Sequence, residues 1–148
     1  MKGLIIIDFS RTLYDKDAKS MHPGAVEFLE KYGKSYALAL ISRERESSAR
    51  IALIKQLGIE HHFEIVIVRD RKGLDEFKEA MEKTGFGPEK SWSIGDKIKT
   101  EIAVGRQLGI KTIWFRHGKY ANVLPEHEGE EPDYIVGSWK EVEEIIPT

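Results

Sequence analysis

Apolar residues fall into short blocks separated by longer stretches of mixed character. Gly3–Asp8 (GLIIID) is an unbroken apolar run closed by a carboxylate, the pattern of a strand buried on both faces. Ser35–Ser42 (SYALALIS), Glu64–Val68 (EIVIV), Trp92–Asp96 (WSIGD) and Lys111–Phe115 (KTIWF) repeat that form, and Tyr134–Gly137 (YIVG) has the length of an edge strand. The intervening stretches read as helices with recognisable ends. Pro23 opens one that stops near Gly33, and Gly58 closes another in which Ile51, Ile54 and Leu57 form the expected apolar face. Leu74–Lys83 carries Phe77, Ala80 and Met81 on one side, a further helix runs from Thr100 to Leu108–Gly109, and Trp139–Ile146 closes the chain. His117–Asp133, rich in Gly, Glu and Pro, is the one stretch that reads as a flexible loop. Strands alternating with helices predict an α/β fold of three Rossmann-like layers, a mainly parallel five-stranded sheet with a sixth strand at its edge.

Length and composition narrow this without changing it. The 148 residues suit a single domain over 1–148, and 41% hydrophobic with 32% charged residues is a globular composition. A net charge of −2 argues against a surface built to attract nucleic acid or anionic membrane. The absence of cysteine excludes disulfides, thiolate metal sites and cysteine nucleophiles. No apolar run near the start is long enough for a signal peptide or a membrane span, so a cytoplasmic location is expected. The dinucleotide fingerprint GxGxxG is absent.

Parallel sheets bind ligands at the carboxyl ends of their strands. The residues expected there are Asp8, Ser42, the basic group Arg69-Arg71-Lys72, and Asp96 followed by Glu101. Two carboxylates, a hydroxyl and a cation on one rim make a phosphate-and-magnesium set, because Mg²⁺ takes one or two protein carboxylates together with substrate oxygens.

These motifs, in this order, resemble the haloacid dehalogenase superfamily, whose members are mostly magnesium-dependent phosphatases. DFSRTL matches the first family motif at Asp8, Thr12 and Leu13; LALIS places the second on Ser42; the third falls on Lys72, with Arg71 as the alternative; IGDKIKTEI places Asp96 and Glu101 in the fourth. The resemblance covers Gly3 to about Ile146. It implies that Asp8 is the nucleophile, forming an aspartyl-phosphate, and that Asp8, Asp96, Glu101 and the Ser10 carbonyl hold Mg²⁺. Ser42 would bind a phosphoryl oxygen, and Lys72 would stabilise nucleophile and developing charge. Arg43 is a further candidate to touch substrate, and Arg116–Tyr120 leaves the fifth strand on the same rim.

The sequence departs from the family at Ser10, where phosphatases carry a second Asp that protonates the leaving oxygen. Three readings follow: a preference for good leaving groups, a long-lived aspartyl-phosphate, or a degenerate domain that binds a phosphorylated ligand or protein partner without turnover. Asp15 and Asp17, in the segment that forms a flap in relatives, are candidates to lend a carboxylate. The intervals between motifs leave no room for a cap domain, which implies the capless branch. Its site would stand open to a phosphorylated small molecule or phosphoprotein, or be covered by a second copy in a homo-oligomer. His61-His62 lacks further ligands for a metal site.

Overall fold

The computed structural model describes residues 1–148. The central sheet contains β1 (Leu4–Ile7), β4 (Ala37–Arg43), β5 (Ile65–Arg69), β6 (Ser91–Gly95), β7 (Lys111–Phe115) and β8 (Tyr134–Val136), in the order β5-β4-β1-β6-β7-β8. Every neighbouring pair is parallel. The edge strand expected at 134–137 is therefore present, and the sheet has six strands.

The alternation along β1 explains the layers. Ile5 and Ile7 face one cluster with Phe28, Leu29 and Tyr32 of α1 (Ala25–Tyr32), Ile54 of α2 (Ser47–Gln56), and Trp139 and Val142 of α5 (Trp139–Ile145). Leu4 and Ile6 face the other, with Phe77 and Ala80 of α3 (Leu74–Thr84) and with Val104 and Leu108 of α4 (Ala103–Leu108) packed against it. A strand covered on both faces has no use for polar residues, hence LIII.

Three sequence expectations need correction. Ile51 is exposed, and the buried positions of α2 are Arg50 and Ile54, so that helix is rotated from the face read off Ile51, Ile54 and Leu57. The helix expected from Thr100 begins instead as a π-helical turn, Ile98–Ile102, that runs into α4. The 117–133 stretch is ordered by two single turns and by Glu130, which is buried and accepts from the Glu126 amide (3.0 Å) and Lys99 (3.4 Å). Between β1 and α1 lies an element the sequence pattern did not announce, a small hairpin of β2 (Tyr14–Asp15) and β3 (Ser20–Met21).

Successive strands run outward from β1 through β4 to β5, then the chain crosses back to β6 and continues through β7 to β8. The order reverses between β1 and β6, and the crevice beyond their carboxyl ends is where such sheets bind ligands.

Candidate active site

Asp8 and Asp96 follow β1 and β6 directly and so stand on either side of that crevice. The Asp8 amide donates to Ile94 across the two strands (3.0 Å). Beyond Asp8 the chain turns sharply: the Phe9 carbonyl accepts from the amides of Thr12, Leu13 and Tyr14 at 2.9–3.3 Å, and Arg11 takes a left-handed φ of 63°. The Thr12 hydroxyl donates back to Asp8 Oδ2 (3.3 Å), and the Thr12 carbonyl accepts from Trp139 Nε1 (2.9 Å), which ties the turn to α5.

Lys72, between β5 and α3, reaches over the sheet to donate to Asp8 Oδ1 at 2.8 Å and Glu101 Oε1 at 3.2 Å; its side chain is 3% exposed. Arg71 points out to solvent toward Glu76 (3.6 Å), so of the two cations it is Lys72 that enters the site. Buried Glu76 shapes this loop by accepting from the Gly73 amide (2.9 Å) and pairing loosely with Arg69 and Arg71.

Glu101 is carried by the π-helical turn, and its carbonyl accepts from Ser93 on β6 (3.0 Å). Gly95 permits its approach: a Cβ there would stand 2.2 Å from Glu101 Cγ. The Asp96 carbonyl accepts from Trp114 Nε1 (3.0 Å), which fixes the backbone beside the carboxylate.

One carboxylate oxygen from each of Asp8, Asp96 and Glu101 lies within 4.8 Å of the others. All three side chains are buried, and Asp96 Oδ2 and Glu101 Oε2 have no hydrogen-bond partner. Burial, then the neighbouring Asp8 charge, push Asp96 up to about 9; burial, only partly countered by Lys72, pushes Glu101 to about 8. Burial acts the same way on Asp8, but Lys72 overcomes it and holds Asp8 below the ordinary carboxylate range. Burial works against a charged Lys72 too, and the two carboxylates outweigh it. Three carboxylates facing one ammonium, with two buried oxygens unpartnered, is a donor set that fits a hard divalent cation.

A cavity of about 280 Å³ opens above this group, and Asp8, Ser10, Ser42, Arg43, Lys72, Asp96 and Glu101 all line it. Arg50 lines it as well and was not singled out from the sequence. It is buried, donates to the Ser42 hydroxyl and to Glu44 (2.9 Å), and lies 4.7 Å from the centre of the Phe9 ring. Its sequence signal was its position four residues before Ile54, on the inward face of α2. Asp15 and Asp17 do not enter the cavity. Asp15 accepts from the Asp17 and Ala18 amides (3.0 and 3.1 Å) within the hairpin, and both acids line a neighbouring hollow with His22 and His117. Of Arg116–Tyr120 only Lys119 and Tyr120 line the cavity, and His61 and His62 do not.

A parallel sheet with this strand order, and an acidic pair flanking its switch point beside a buried lysine, defines a class of hydrolase domain. A family model for haloacid dehalogenase-like hydrolases matches residues 5–115, and the chain belongs to that family. It is 27% identical over 129 residues to a glyceraldehyde 3-phosphate phosphatase of Pyrococcus furiosus, a match covering 84% of this chain and 53% of that protein. The chain thus spans about half the length of that relative. Among solved structures, a haloacid dehalogenase-like family hydrolase of Streptococcus pneumoniae superposes with a TM-score of 0.75 at 19% identity, over 95% of this chain and 96% of that one. A superfamily hydrolase of Geobacter sulfurreducens gives 0.76 at 11% identity, over 99% and 100%. At such identities these two structures show the shared fold alone. No helix is long and apolar enough to cross a membrane.

Proposed function

We propose that the protein is a magnesium-dependent phosphatase acting through Asp8 on phosphorylated small molecules with good leaving groups. The observation that carries this reading is the Lys72 ammonium held between Asp8 and Glu101 beside two unpartnered buried carboxylate oxygens. The phosphatase relatives bear on it as family members only, since the chain covers about half of the one compared above.

Asp8, Asp96 and Glu101, with the Ser10 carbonyl, would hold Mg²⁺, whose charge offsets the repulsion between the Asp8 carboxylate and a phosphoryl dianion. Lys72 keeps Asp8 ionised and therefore nucleophilic at neutral pH. An Asp8 carboxylate oxygen bonds to phosphorus as the bond from phosphorus to the leaving oxygen breaks. Ser42, Arg43 and Arg50, which line the cavity, would receive the phosphoryl oxygens. Water then attacks the aspartyl-phosphate at phosphorus, returning the Asp8 carboxylate and releasing phosphate.

Ser10 lines the cavity where relatives have an acid, and Asp15 and Asp17 line the neighbouring hollow instead. The leaving oxygen therefore departs without a carboxylic acid to protonate it, which favours aryl and acyl phosphates over alkyl esters. General acid help of ~10²–10⁴-fold is forgone for alkyl esters.

The test is phosphate release from an aryl and an acyl phosphate, with and without Mg²⁺, for wild type, Asp8→Asn and Ser10→Asp. Wild-type release should require Mg²⁺ and vanish in Asp8→Asn, and Ser10→Asp should raise hydrolysis of an alkyl phosphate many-fold. A folded, Mg²⁺-binding wild type that releases nothing from either substrate would favour the second reading that Ser10 supports, a domain that binds a phosphorylated ligand without turnover.

A further inference from the structure

The chain carries a net charge of −2, yet the walls of the cavity above its acidic floor are cationic. Arg11, Lys16, Arg43, Lys97 and Lys119 line those walls, and none of the five is ion-paired with a carboxylate. The cavity's other two cations are both engaged, Arg50 with Glu44 and Lys72 with Asp8 and Glu101.

Three of the free cations converge on one aromatic ring. Lys97 Nζ lies 4.7 Å from the centre of Tyr120, Lys119 Nζ 5.5 Å and Arg11 Cζ 5.6 Å. They arrive from three separate loops, after β1, β6 and β7. Contacts of a hydrated cation with a ring are weak, and three like charges gathered on one ring repel one another. The cluster thus gains little from its own company. Such an arrangement is relieved by an anion.

Under the reading proposed above, the transferred phosphoryl group is received by Ser42, Arg43 and Arg50, so it does not account for the Tyr120 cluster. We infer that Arg11, Lys97 and Lys119, gathered on Tyr120, form a subsite for a second anionic group. The substrate class is then a small phosphorylated molecule that also carries a carboxylate or a second phosphate. Tyr120 is the one hydrophobic residue of the lining, which disfavours a nucleobase or acyl chain as the remainder of the ligand. A volume of about 280 Å³ suits a short polar backbone.

The subsite rests on the phosphatase reading for its account of the floor, so its test reads binding as well as turnover. Calorimetry with Mg²⁺ present would compare glycerol 3-phosphate with 3-phosphoglycerate, where a carboxylate replaces the hydroxymethyl group, and with propane-1,3-diol bisphosphate, which supplies a second phosphate. Wild type should bind one or both ligands that carry a second anionic group about tenfold or more tighter than glycerol 3-phosphate. The ligand preferred between the two identifies the second group. Lys97→Gln with Lys119→Gln should abolish that preference and leave glycerol 3-phosphate binding within about twofold. Arg11→Gln, made separately, should reduce the preference.

Equal affinities in wild type, or a preference untouched by the double variant, would overturn the subsite. Turnover of an aryl phosphate combined with equal affinities rejects the subsite and leaves the phosphatase intact. A variant-sensitive preference in a protein without turnover supports the subsite and rejects the phosphatase.

Discussion

Replacing Asp96 by Asn should make the metal-free protein more stable. Asp96 faces two other carboxylates with oxygens within 4.8 Å, and the one nearby ammonium is engaged by Asp8 and Glu101. At an effective dielectric constant of about 20, two unit charges 4.8 Å apart repel by about 3.5 kcal/mol. Glu101, itself pushed up to about 8, is largely protonated at neutral pH, so burial and the repulsion from Asp8 are what oppose an Asp96 carboxylate. Burial and Asp8 push Asp96 up to about 9, so at neutral pH the folded protein holds a proton that the unfolded carboxylate would release, and that uptake is itself a cost. The net gain for Asp96→Asn in a chelator is then about 1–3 kcal/mol, a rise in Tm of roughly 2–10 °C for a domain of this size. Under the proposed function the same change removes a metal ligand, so the response to Mg²⁺ should disappear. Wild type at ten times its dissociation constant should gain about 1.4 kcal/mol, and the variant nothing measurable. Thermal unfolding of both proteins, in EDTA and across an Mg²⁺ series, decides the matter. If Asp96→Asn melts lower than wild type in EDTA, or responds to Mg²⁺ as wild type does, the acidic cluster is a structural network and the repulsion argument is wrong.

Two further outcomes probe how the site is supported. Gly95→Ala places a methyl group 2.2 Å from Glu101 Cγ and must displace that carboxylate, so Mg²⁺ affinity measured by calorimetry should fall about 10–100-fold while the fold survives; an unchanged affinity would remove Glu101 from the metal-holding set. Tyr32, whose hydroxyl donates to the Ile146 carbonyl (2.6 Å), is pushed up to about 12 by burial and by Glu143, above its unfolded value near 10. Its contribution is complete below pH 10 and is lost as pH rises toward 12, at no more than about 1.4 kcal/mol per pH unit. Denaturation of Tyr32→Phe should accordingly show a deficit of about 1 kcal/mol at pH 8 that narrows between pH 10 and 12, whereas a gap independent of pH would contradict the assignment.

The parts of the fold that were legible in the sequence are those in which one cause dominates. LIII, ALALI and KTIWF are buried on both faces, so hydrophobicity alone marks them, and the polar residue that ends each inner run lands at the switch point or beside it. Asp8, Ser42 and Asp96 were readable for that reason. Lys72 was readable only as one of two neighbours, because a loop cation declares nothing about where its side chain turns. Arg50 was missed because a charged residue in a helix reads as solvated, and Ser42, Glu44 and the Phe9 ring together draw it inward. The hairpin at 14–21 has strands of two residues, too short to carry an alternation. The π-helical turn follows from a tertiary demand, the delivery of Glu101 past Gly95, which local propensity does not encode.

The three tryptophans divide the molecule into reporters and a reference. The indole of Trp139 is hydrogen-bonded to the backbone of the Asp8 turn, and that of Trp114 to the carbonyl of Asp96. Trp92 lies on β6 nearer its amino end, with Lys111 Nζ 4.9 Å from its ring centre, away from the carboxylates. Filling the acidic centre must be felt first at those two backbone segments. In an ¹⁵N–¹H spectrum the indole signals of Trp114 and Trp139 should therefore move on addition of Mg²⁺ or an anion, with Trp92 as a built-in control. The protein thus carries its own spectroscopic readout for ligand discovery, one that needs isotope labelling but neither an attached probe nor turnover.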